Sequence, residues 1–542
     1  MKKFTVNKKV LACVLAGVVS VGGAVSMSSC SNVVDLEGKL AIWALDAGYG
    51  TEWLDEMVKA YNKLYPDVEV EIVKDEQISS KFDAKLRNPK TNDYDLIFSN
   101  SITFNKYVDI QLKTGGVVYK DLLVNLSKEL YNTKPINAEG EEEDITVGEK
   151  IRDEFMKVVT DPNSGDAYAY PYAGGASGII YNATLFAEKG WEIPTTSSEL
   201  LELTYKIYNE EVVGKAEEDR IYPWSWSGKC AAYWQNLTMG LYASYVGIDN
   251  YHEFWNCNQW VGEDGYPGTS SNGELIKNTP EVYDNKGRLE ALQVIEKIIN
   301  PSASDSSIQD GDYRYWDGYC VPNAQDMSVA KAKRMFMNGE AAMFVCGSWL
   351  ERKMSNWFEE NPNNTVQLKV MKTPVLDSAK AMWDKALADR EVTQEEYDNA
   401  MNVSICAGSD LVSVIPVYSE EKEEALNFLR FMTSDDGAMI YSKYAKSILP
   451  LDYDWSNEAW VSEYNAFVQP GSFLQSQIEI DKNCAYGYDG QRINTKLPDS
   501  AGHFYPGGVY PEPVMSRLVY SERKSAKDLY DLYKETVRNS FR

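Results

Sequence analysis

The sequence predicts an α/β protein built from two lobes. Apolar stretches at 39–45, 68–72 and 94–98 have the length and alternation of strands. Segments 51–65 and 78–87 repeat apolar residues at helical spacing. This β-α-β-α-β order is typical of a largely parallel sheet flanked by helices. Because 542 residues are too many for one hydrophobic core, we expect a second lobe of the same kind.

The composition of the chain excludes several classes of partner. It has 81 acidic and 54 basic residues, a formal net charge of −27, which argues against binding to nucleic acid or to anionic lipid. Its 36 tyrosines and 14 tryptophans have flat apolar faces and polar tips that suit sugars, although much of this aromatic content could be core. With two histidines and no C-x-x-C motif, we expect neither a metal site nor another cofactor.

The N-terminus has the pattern of an export signal. Four lysines within the first nine residues precede an apolar run at 10–25 that is too short to span a bilayer. Met27, Ser28 and Ser29 then precede Cys30, and this stretch resembles a bacterial lipobox. The resemblance implies a signal peptide at 1–29, a lipid on Cys30 and a linker at 30–38. The alternative is ordinary signal cleavage and a freely secreted protein.

The other cysteines of the exported chain are sparse. An even number outside the cell would permit disulfides, but the low density favours buried thiols. The six residues are Cys230, Cys257, Cys320, Cys346, Cys406 and Cys484.

Polar residues follow two of the predicted strands of the first lobe. Asp46 begins the turn after the strand at 39–45, which also contains Trp43, and Asn100 follows the strand at 94–98. Ligands of open α/β sheets bind beyond the carboxyl ends of the strands, so both side chains could bind sugar hydroxyls. Asp46 could equally be a helix cap or a turn residue.

The segment at 335–354 holds the strongest single candidate. A helix that ends near Phe336 is followed by a turn, a buried strand at 340–345 and then Trp349. A large aromatic residue at the exit of a buried strand often lines a cleft. Trp349 could also be a core residue at the start of the next helix.

The same segment resembles a family motif. Residues 336–349 match the F-x-x-G-x-A-A-M-x-x-x-G-x-W segment of the extracellular solute-binding proteins of carbohydrate ABC importers, the maltose-binding-protein-like group. Stretches 170–200 and 402–433 are similar to further segments of that family, and 447–450 is similar to its G-x-x-P crossing, with Ser447 in place of glycine.

The resemblance implies two lobes joined by a multi-strand hinge of the type II kind. The first lobe would comprise 39–177 and 405–450, and the second 178–404 and 451–542. In that family the tryptophan of the motif stacks on a sugar ring, which assigns this role to Trp349.

The resemblance and the aromatic pattern add further ligand candidates. Tyr233 and Trp234 resemble, in place, an aromatic cluster that stacks sugar in the family. Trp224 and Trp226 lie in an extended stretch, where we expect them to face opposite sides, so that at most one faces a given cleft. Charged residues surround Trp316 and indicate an exposed aromatic loop at a ligand rim. The full candidate set is Trp349, Tyr233, Trp234, Trp43, Asp46, Asn100, Tyr172, Trp224, Trp226 and Trp316.

Together these observations predict a lipid-anchored receptor on the outer face of a bacterial membrane. It would bind a carbohydrate, an oligosaccharide by preference, and deliver it to the permease subunits of an ABC importer, as a monomer and without catalysis. The alternatives are a secreted glycoside hydrolase, which would need paired carboxylates that no segment of the sequence displays, and a receptor for another solute such as a peptide. An adhesive protein would need repeats, and we find none.

Overall fold

The computed structural model describes residues 38–100, 121–161, 164–230, 232–263, 265–406, 411–487 and 524–541. The predicted signal peptide, Cys30 and almost all of the linker lie outside these residues. None of the helices in the described ranges is both long and apolar enough to cross a bilayer.

Thirteen strands are present in the described residues. They are β1 Leu40–Leu45, β2 Val70–Asp75, β3 Leu96–Ser99, β4 Tyr170–Pro171, β5 Ala176–Asn182, β6 Tyr222–Ser225, β7 Gln259–Val261, β8 Glu274–Ile276, β9 Ala341–Gly347, β10 Leu368–Val370, β11 Val403–Cys406, β12 Val412–Val414 and β13 Ala485–Gly487.

Helices cover both sheets. The α-helices of the described residues are α1 Glu52–Leu64, α2 Ile78–Leu86, α3 Leu126–Glu129, α4 Val147–Lys150, α5 Asp153–Val159, α6 Ala183–Lys189, α7 Ser197–Glu211, α8 Ala232–Val246, α9 Ile248–Phe254, α10 Lys286–Ile299, α11 Tyr313–Asp317, α12 Val329–Met337, α13 Leu350–Lys353, α14 Ser355–Glu360, α15 Asp377–Asp389, α16 Gln394–Met401, α17 Lys422–Thr433, α18 Asp435–Ala445, α19 Glu458–Phe467, α20 Phe473–Asp481 and α21 Ala526–Ser540.

The first sheet has the strand order β2-β1-β3-β12-β4. Every residue of β1 is buried, because helices cover both faces of the strand. The predicted order of strands and helices at 39–98 is confirmed, and α1 buries an apolar stripe that includes Trp53, Met57 and Tyr61.

The second sheet has the order β13-β11-β5-β9-β6, and β10 pairs with β5. Its two central strands, β5 and β9, are buried along their whole length. A separate two-stranded hairpin, β7–β8, belongs to the insertion between α9 and α10. The predicted two-lobed α/β class, with helix-flanked sheets, is therefore confirmed.

Strand direction differs from the predicted largely parallel arrangement. In the first sheet β1 runs parallel to β2 and β3, but β12 is antiparallel to β3 and β4. In the second sheet β6 is parallel to β9, and β11 to β13, but β5 is antiparallel to its partners.

The chain passes between the two sheets at three places. Residues 172–175 join β4 of the first sheet to β5 of the second, and the chain returns to the first sheet between Cys406, the last residue of β11, and Val412, the first residue of β12. A third passage, at 446–450, follows α18, which packs on α1, and leads to α20, which packs on β10. The expected lobe boundary at 177/178 falls within β5, and that at 404/405 falls within β11. We call the region where these passages meet the junction.

Most of the cysteines occupy the interior. Cys257, Cys320 and Cys346 are buried thiols outside any disulfide, Cys406 is buried as well, and Cys484 is half-buried. Burial raises the pKa of the Cys257 thiol to about 12 and that of Cys346 above its usual value, which makes both unreactive. The expectation of buried thiols holds for these four residues, while the side chain of Cys230 lies outside the described set.

Candidate ligand-binding site

A network of hydroxyl groups connects the two sheets at the junction. Tyr49, in the loop after β1, donates a hydrogen bond from its hydroxyl to the Gly174 carbonyl at 3.2 Å, and the same hydroxyl lies 2.7 Å from the Ser348 Oγ. The Ser447 hydroxyl, in the third passage, donates to the Ser348 Oγ at 3.2 Å. Residues from both sheets and from two passages therefore meet around Ser348, which is fully buried.

An aromatic group lies beside this network. Trp349, directly after β9, is half-buried, and its ring centroid is 6.0 Å from that of Tyr49 in an edge-to-face arrangement. On another side, the Tyr233 ring of α8 is 5.9 Å from the Trp349 ring. We call Trp349, Tyr233 and Tyr49 the junction cluster.

The position of the Trp349 ring depends on its small neighbour. The ring folds back over Gly347, where an added Cβ would lie 2.5 Å from the indole. The glycine at the end of β9 therefore lets the indole lie close to the backbone, in a preorganised position.

An ion pair connects the two lobes next to the junction cluster. Arg352 of α13 donates from Nε to the Glu52 carboxylate of α1 at 3.0 Å. Burial raises the pKa of Glu52, but the hydrogen bonds and positive charge of Arg352 outweigh it and hold the pKa below its usual value. Both side chains remain partly exposed, so solvent screens the pair.

The two polar candidates lie at the carboxyl ends of their strands. Asp46 follows β1, is half-buried and accepts a hydrogen bond from the Thr51 hydroxyl at 3.3 Å. Asn100 follows β3, and its Oδ1 accepts from the Ser79 hydroxyl at 2.6 Å. Both residues are at the edge of the first sheet where sequence reasoning expects a ligand. Asp46 is also tied to the start of α1, so its role as a turn residue and its role toward a ligand are compatible.

Two aromatic candidates of the first lobe are packed inside it. The Trp43 ring stacks on Tyr94 at 4.9 Å, and its indole N–H donates to the Asp75 carboxylate at 3.3 Å. The Tyr172 ring contacts Phe98 edge to face at 5.0 Å. Both side chains are buried, so their rings have no face open to a ligand in this conformation.

Three tryptophans of the second lobe form one buried group, which we call the packed cluster. The Trp234 ring is 5.2 Å from Trp224 and 6.1 Å from Trp226, and all three side chains are at most 2% exposed. The expectation that Trp224 and Trp226 face opposite sides is wrong. Residues two apart on a strand point to the same face, and here both rings meet Trp234.

Trp316 lies far from the junction cluster along the second sheet. It is 50% exposed, which agrees with the expected exposed loop. However, the ring of its neighbour Tyr313 lies 5.8 Å from the ring of Tyr222, the first residue of β6. Tyr222 pairs with Ala341, the first residue of β9. Trp349 follows the other end of β9. The prediction that Trp316 belongs to the same ligand rim therefore disagrees with its position, because a pattern of exposure does not say which end of a sheet a loop occupies.

Sequence reasoning missed the residues that hold the junction together. Tyr49, Ser348 and Arg352 were not singled out, although Tyr49 lies in the same post-strand loop as Asp46 and could have been found by the rule that named Asp46. Ser447 was noted only as part of a crossing motif, and its hydrogen bond to Ser348 was not predicted, since a serine acquires such a role only from its neighbours in space.

The half-buried rings of Trp349 and Tyr233 are stacking surfaces, whereas the hydroxyl groups of the junction are buried and bond to one another. In the described ranges, no three histidine, cysteine, aspartate or glutamate residues are grouped so that they could hold a metal ion. Aromatic rings beside polar loops can bind a ligand reversibly, with rings stacking on its apolar faces and polar groups making hydrogen bonds.

Two α/β lobes with helix-flanked sheets, between which the chain passes more than once, are the architecture of bacterial binding proteins. The chain belongs to the bacterial extracellular solute-binding protein family, whose pattern it matches over residues 47–439. No curated protein matches the chain in sequence.

Solved structures share this fold at low sequence identity. One is an ABC transporter solute-binding protein from Thermotoga lettingae bound with α-D-tagatose, which is 16% identical over 93% of this chain and 100% of that chain, with a TM-score of 0.56. Another is the maltotriose-binding protein of Thermus thermophilus, 13% identical over 93% and 100%, with a TM-score of 0.52. A third is a probable secreted solute-binding lipoprotein from Streptomyces coelicolor, 14% identical over 92% and 98%, with a TM-score of 0.56.

Proposed function

We propose that this protein captures a carbohydrate, specifically an oligosaccharide, between its two lobes and delivers it to an ABC importer. The observation that carries the proposal is Trp349: a half-buried indole at the exit of β9, flanked by Tyr233 and Tyr49, at the place where the two sheets meet. Tagatose and maltotriose are bound by two proteins that share the fold, which supports a sugar as the ligand.

The proposed chemistry is binding without turnover. Trp349 and Tyr233 supply faces for the C–H groups of a sugar ring, and Asp46 and Asn100 supply carboxylate and amide groups for its hydroxyls. Each contact is reversible, so the captured molecule can be released unchanged.

The arrangement of the passages explains how binding could close the protein. A ligand that touches both lobes favours the closed state by its differential affinity for that state. Arg352 and Glu52 pair across the lobes at the edge of the junction. Their ion pair would stabilise the closed form and would be broken in the open form.

We also propose where the receptor acts. A lipid on Cys30 would hold it to the outer face of the bacterial membrane, where a monomer meets the permease subunits. The net charge of −27 argues against a nucleic-acid partner and against any further contact with an anionic bilayer.

Thermal unfolding of residues 31–542 with a panel of mono- and oligosaccharides tests the proposal. A sugar at 100 times its dissociation constant should raise the free energy of unfolding by about 2.7 kcal/mol. Product analysis of each mixture should recover the sugar intact. Trp349→Ala should remove the shift and Trp349→Phe should retain part of it.

Trp316→Ala is the matched control, since that tryptophan lies at the opposite end of the second sheet and should leave the shift unchanged. Three results would contradict the proposal: no sugar in the panel shifts the transition, a sugar is cleaved, or Trp349→Ala keeps the full shift. The first would direct the search to peptides and the second to glycoside hydrolysis.

A further inference from the structure

The second lobe contains a cavity that is separate from the junction. It lies between the β7–β8 hairpin and helices α8, α10 and α15, and its volume is about 540 Å³. This volume is within the usual range for sites that bind small molecules, about 300–1,000 Å³. None of the ten ligand candidates of the sequence analysis lines it.

Aromatic side chains make up much of the cavity wall. Trp260 of β7, Tyr245 of α8 and Tyr266 of the hairpin loop are all half-buried and line the cavity, as does the buried Phe254. The alternation of β7 explains the side that Trp260 takes, because its neighbour Val261 is 43% exposed. Half-buried rings around a concave space can stack on a ligand that enters from solvent.

The hairpin is held firmly against the lobe. The Asn250 side chain of α9 accepts from the Trp260 backbone N–H at 2.6 Å and donates to the Trp260 and Gly268 carbonyls at 3.1 and 2.7 Å. Gly268 itself fits tightly, since a Cβ there would lie 2.3 Å from the Trp260 carbonyl oxygen. The backbone that carries the Trp260 ring is thus fixed from two sides.

The far side of the hairpin loop is fixed to α15 and to the segment that follows it. Tyr266 donates its hydroxyl proton to Asp389 at 2.8 Å, and Asn272 donates to the Glu391 carbonyl at 2.6 Å. A wall built with this many contacts is preorganised, which lowers the entropy lost when a ligand binds.

The charges at the rim indicate a neutral ligand. Lys286 is paired with Glu290 at 2.9 Å. Lys385 lies 3.7 Å from the centre of the Tyr266 ring and 3.7 Å from the Asp389 carboxylate. The cations nearest the cavity are therefore balanced by acids, and Glu263 adds a negative charge to the wall. Among the described residues that line the cavity, an anionic ligand would find no uncompensated positive charge.

We propose that this cavity is a second carbohydrate site, which takes a neutral sugar unit of a longer glycan by stacking it on Trp260. The site is independent of the junction cluster, so it could hold a polysaccharide chain near the receptor while the junction binds a released oligosaccharide.

Native gel electrophoresis of residues 31–542 tests this site. The gels are cast with soluble starch, arabinoxylan, mixed-linkage β-glucan, galactomannan or dextran. At least one of these neutral polysaccharides should retard the protein, and Trp260→Ala should raise the apparent dissociation constant at least tenfold. Trp260→Phe, which keeps an aromatic face, should retain most of the retardation.

Two further variants keep the two sites distinguishable. The Trp349→Ala variant should still be retarded by the polysaccharide. Conversely, the Trp260→Ala variant should keep the thermal shift caused by a free oligosaccharide. Met382→Trp, which fills the cavity from α15 without altering the hairpin, should abolish retardation at an unchanged unfolding temperature. The proposal is overturned if none of the five polysaccharides retards the protein, or if retardation persists in both Trp260→Ala and Met382→Trp.

Discussion

The packed cluster and the junction cluster both include a residue of α8 but differ in burial. Trp224, Trp226 and Trp234 fill the interior of the second lobe, whereas Trp349 and Tyr233 lie half-buried where the two sheets meet. Tyr233 and Trp234 are consecutive residues of α8, about 100° apart around the helix. One faces Trp349 and the other faces the packed tryptophans. The comparison shows that the role of an aromatic residue depends on the face of the helix or strand it occupies rather than on its residue type.

The largest expected effect on stability concerns the packed cluster. Trp234→Ala should lower the free energy of unfolding by about 3–5 kcal/mol, because it removes a fully buried indole and leaves a cavity between Trp224 and Trp226. Chemical denaturation measures the change, with Trp349→Ala as the partner variant, which should cost far less. Equal losses in the two variants would contradict the distinction between the clusters.

A half-buried histidine of the second lobe should make the stability depend on pH. Burial lowers the pKa of His252 to about 4, and its Nε2 lies 3.0 Å from the Tyr486 carbonyl oxygen. Between pH 6.5 and 4, His252 binds a proton in the unfolded chain but not in the folded state. The free energy of unfolding should therefore fall as the pH falls through this window. The loss should be at most about 3 kcal/mol.

Denaturant unfolding at pH 7 and pH 4.5 measures this dependence. His252→Gln should reduce the difference between the two pH values, while His503, the other histidine of the chain, stays present in both proteins. An unchanged pH dependence in the variant would show that His252 is already protonated in the folded state.

A third prediction moves the junction ring without removing it. Gly347→Ala places a methyl group about where the Trp349 ring lies, 2.5 Å from the indole, so the ring must shift. We expect a loss of about 1–3 kcal/mol of stability from overpacking, together with weaker sugar binding. Calorimetric titration measures the affinity, and Gly339→Ala, at a turn with no heavy atom within 4 Å of the added carbon, serves as the control for binding. Wild-type affinity in Gly347→Ala would mean that the position of the ring does not matter.

The hydroxyl network should contribute less. Tyr49→Phe removes the hydrogen bonds to Gly174 and Ser348 and keeps the ring beside Trp349, so we expect a loss of about 0.5–1.5 kcal/mol. A double-mutant cycle with Ser348→Ala isolates the coupling between the two hydroxyls. Strictly additive losses would show that the 2.7 Å contact contributes nothing in solution.

The smallest effect is expected at the ion pair between the lobes. Arg352→Ala should change the free energy of unfolding by less than about 1 kcal/mol, because both partners are partly exposed to solvent. The effect should shrink as salt is added, which distinguishes an ion pair from a packing contact. If the loss is as large at high salt as at low salt, the arginine acts through packing instead.

Local patterns were sufficient for much of the fold. The helix expected at 51–65 is found at Glu52–Leu64, and the strand expected at 340–345 is found at Ala341–Gly347. These elements are predictable because spacing along the chain decides which side chains share a face. The strand directions and the cavity beside Trp260 escaped prediction, because each depends on segments far apart in sequence.

The sequence by itself determined the α/β class, the position of Trp349 at the exit of a buried strand and the polar loops after β1 and β3, since these depend on residue order within one element. Tertiary structure alone decided which aromatics are packed and which remain half-exposed. It also brought Tyr49, Ser348 and Ser447 together from segments some 100 to 300 residues apart. The physical reason is that burial and hydrogen bonding depend on which groups are neighbours in space. For residues far apart in the sequence, only the fold decides which groups become neighbours.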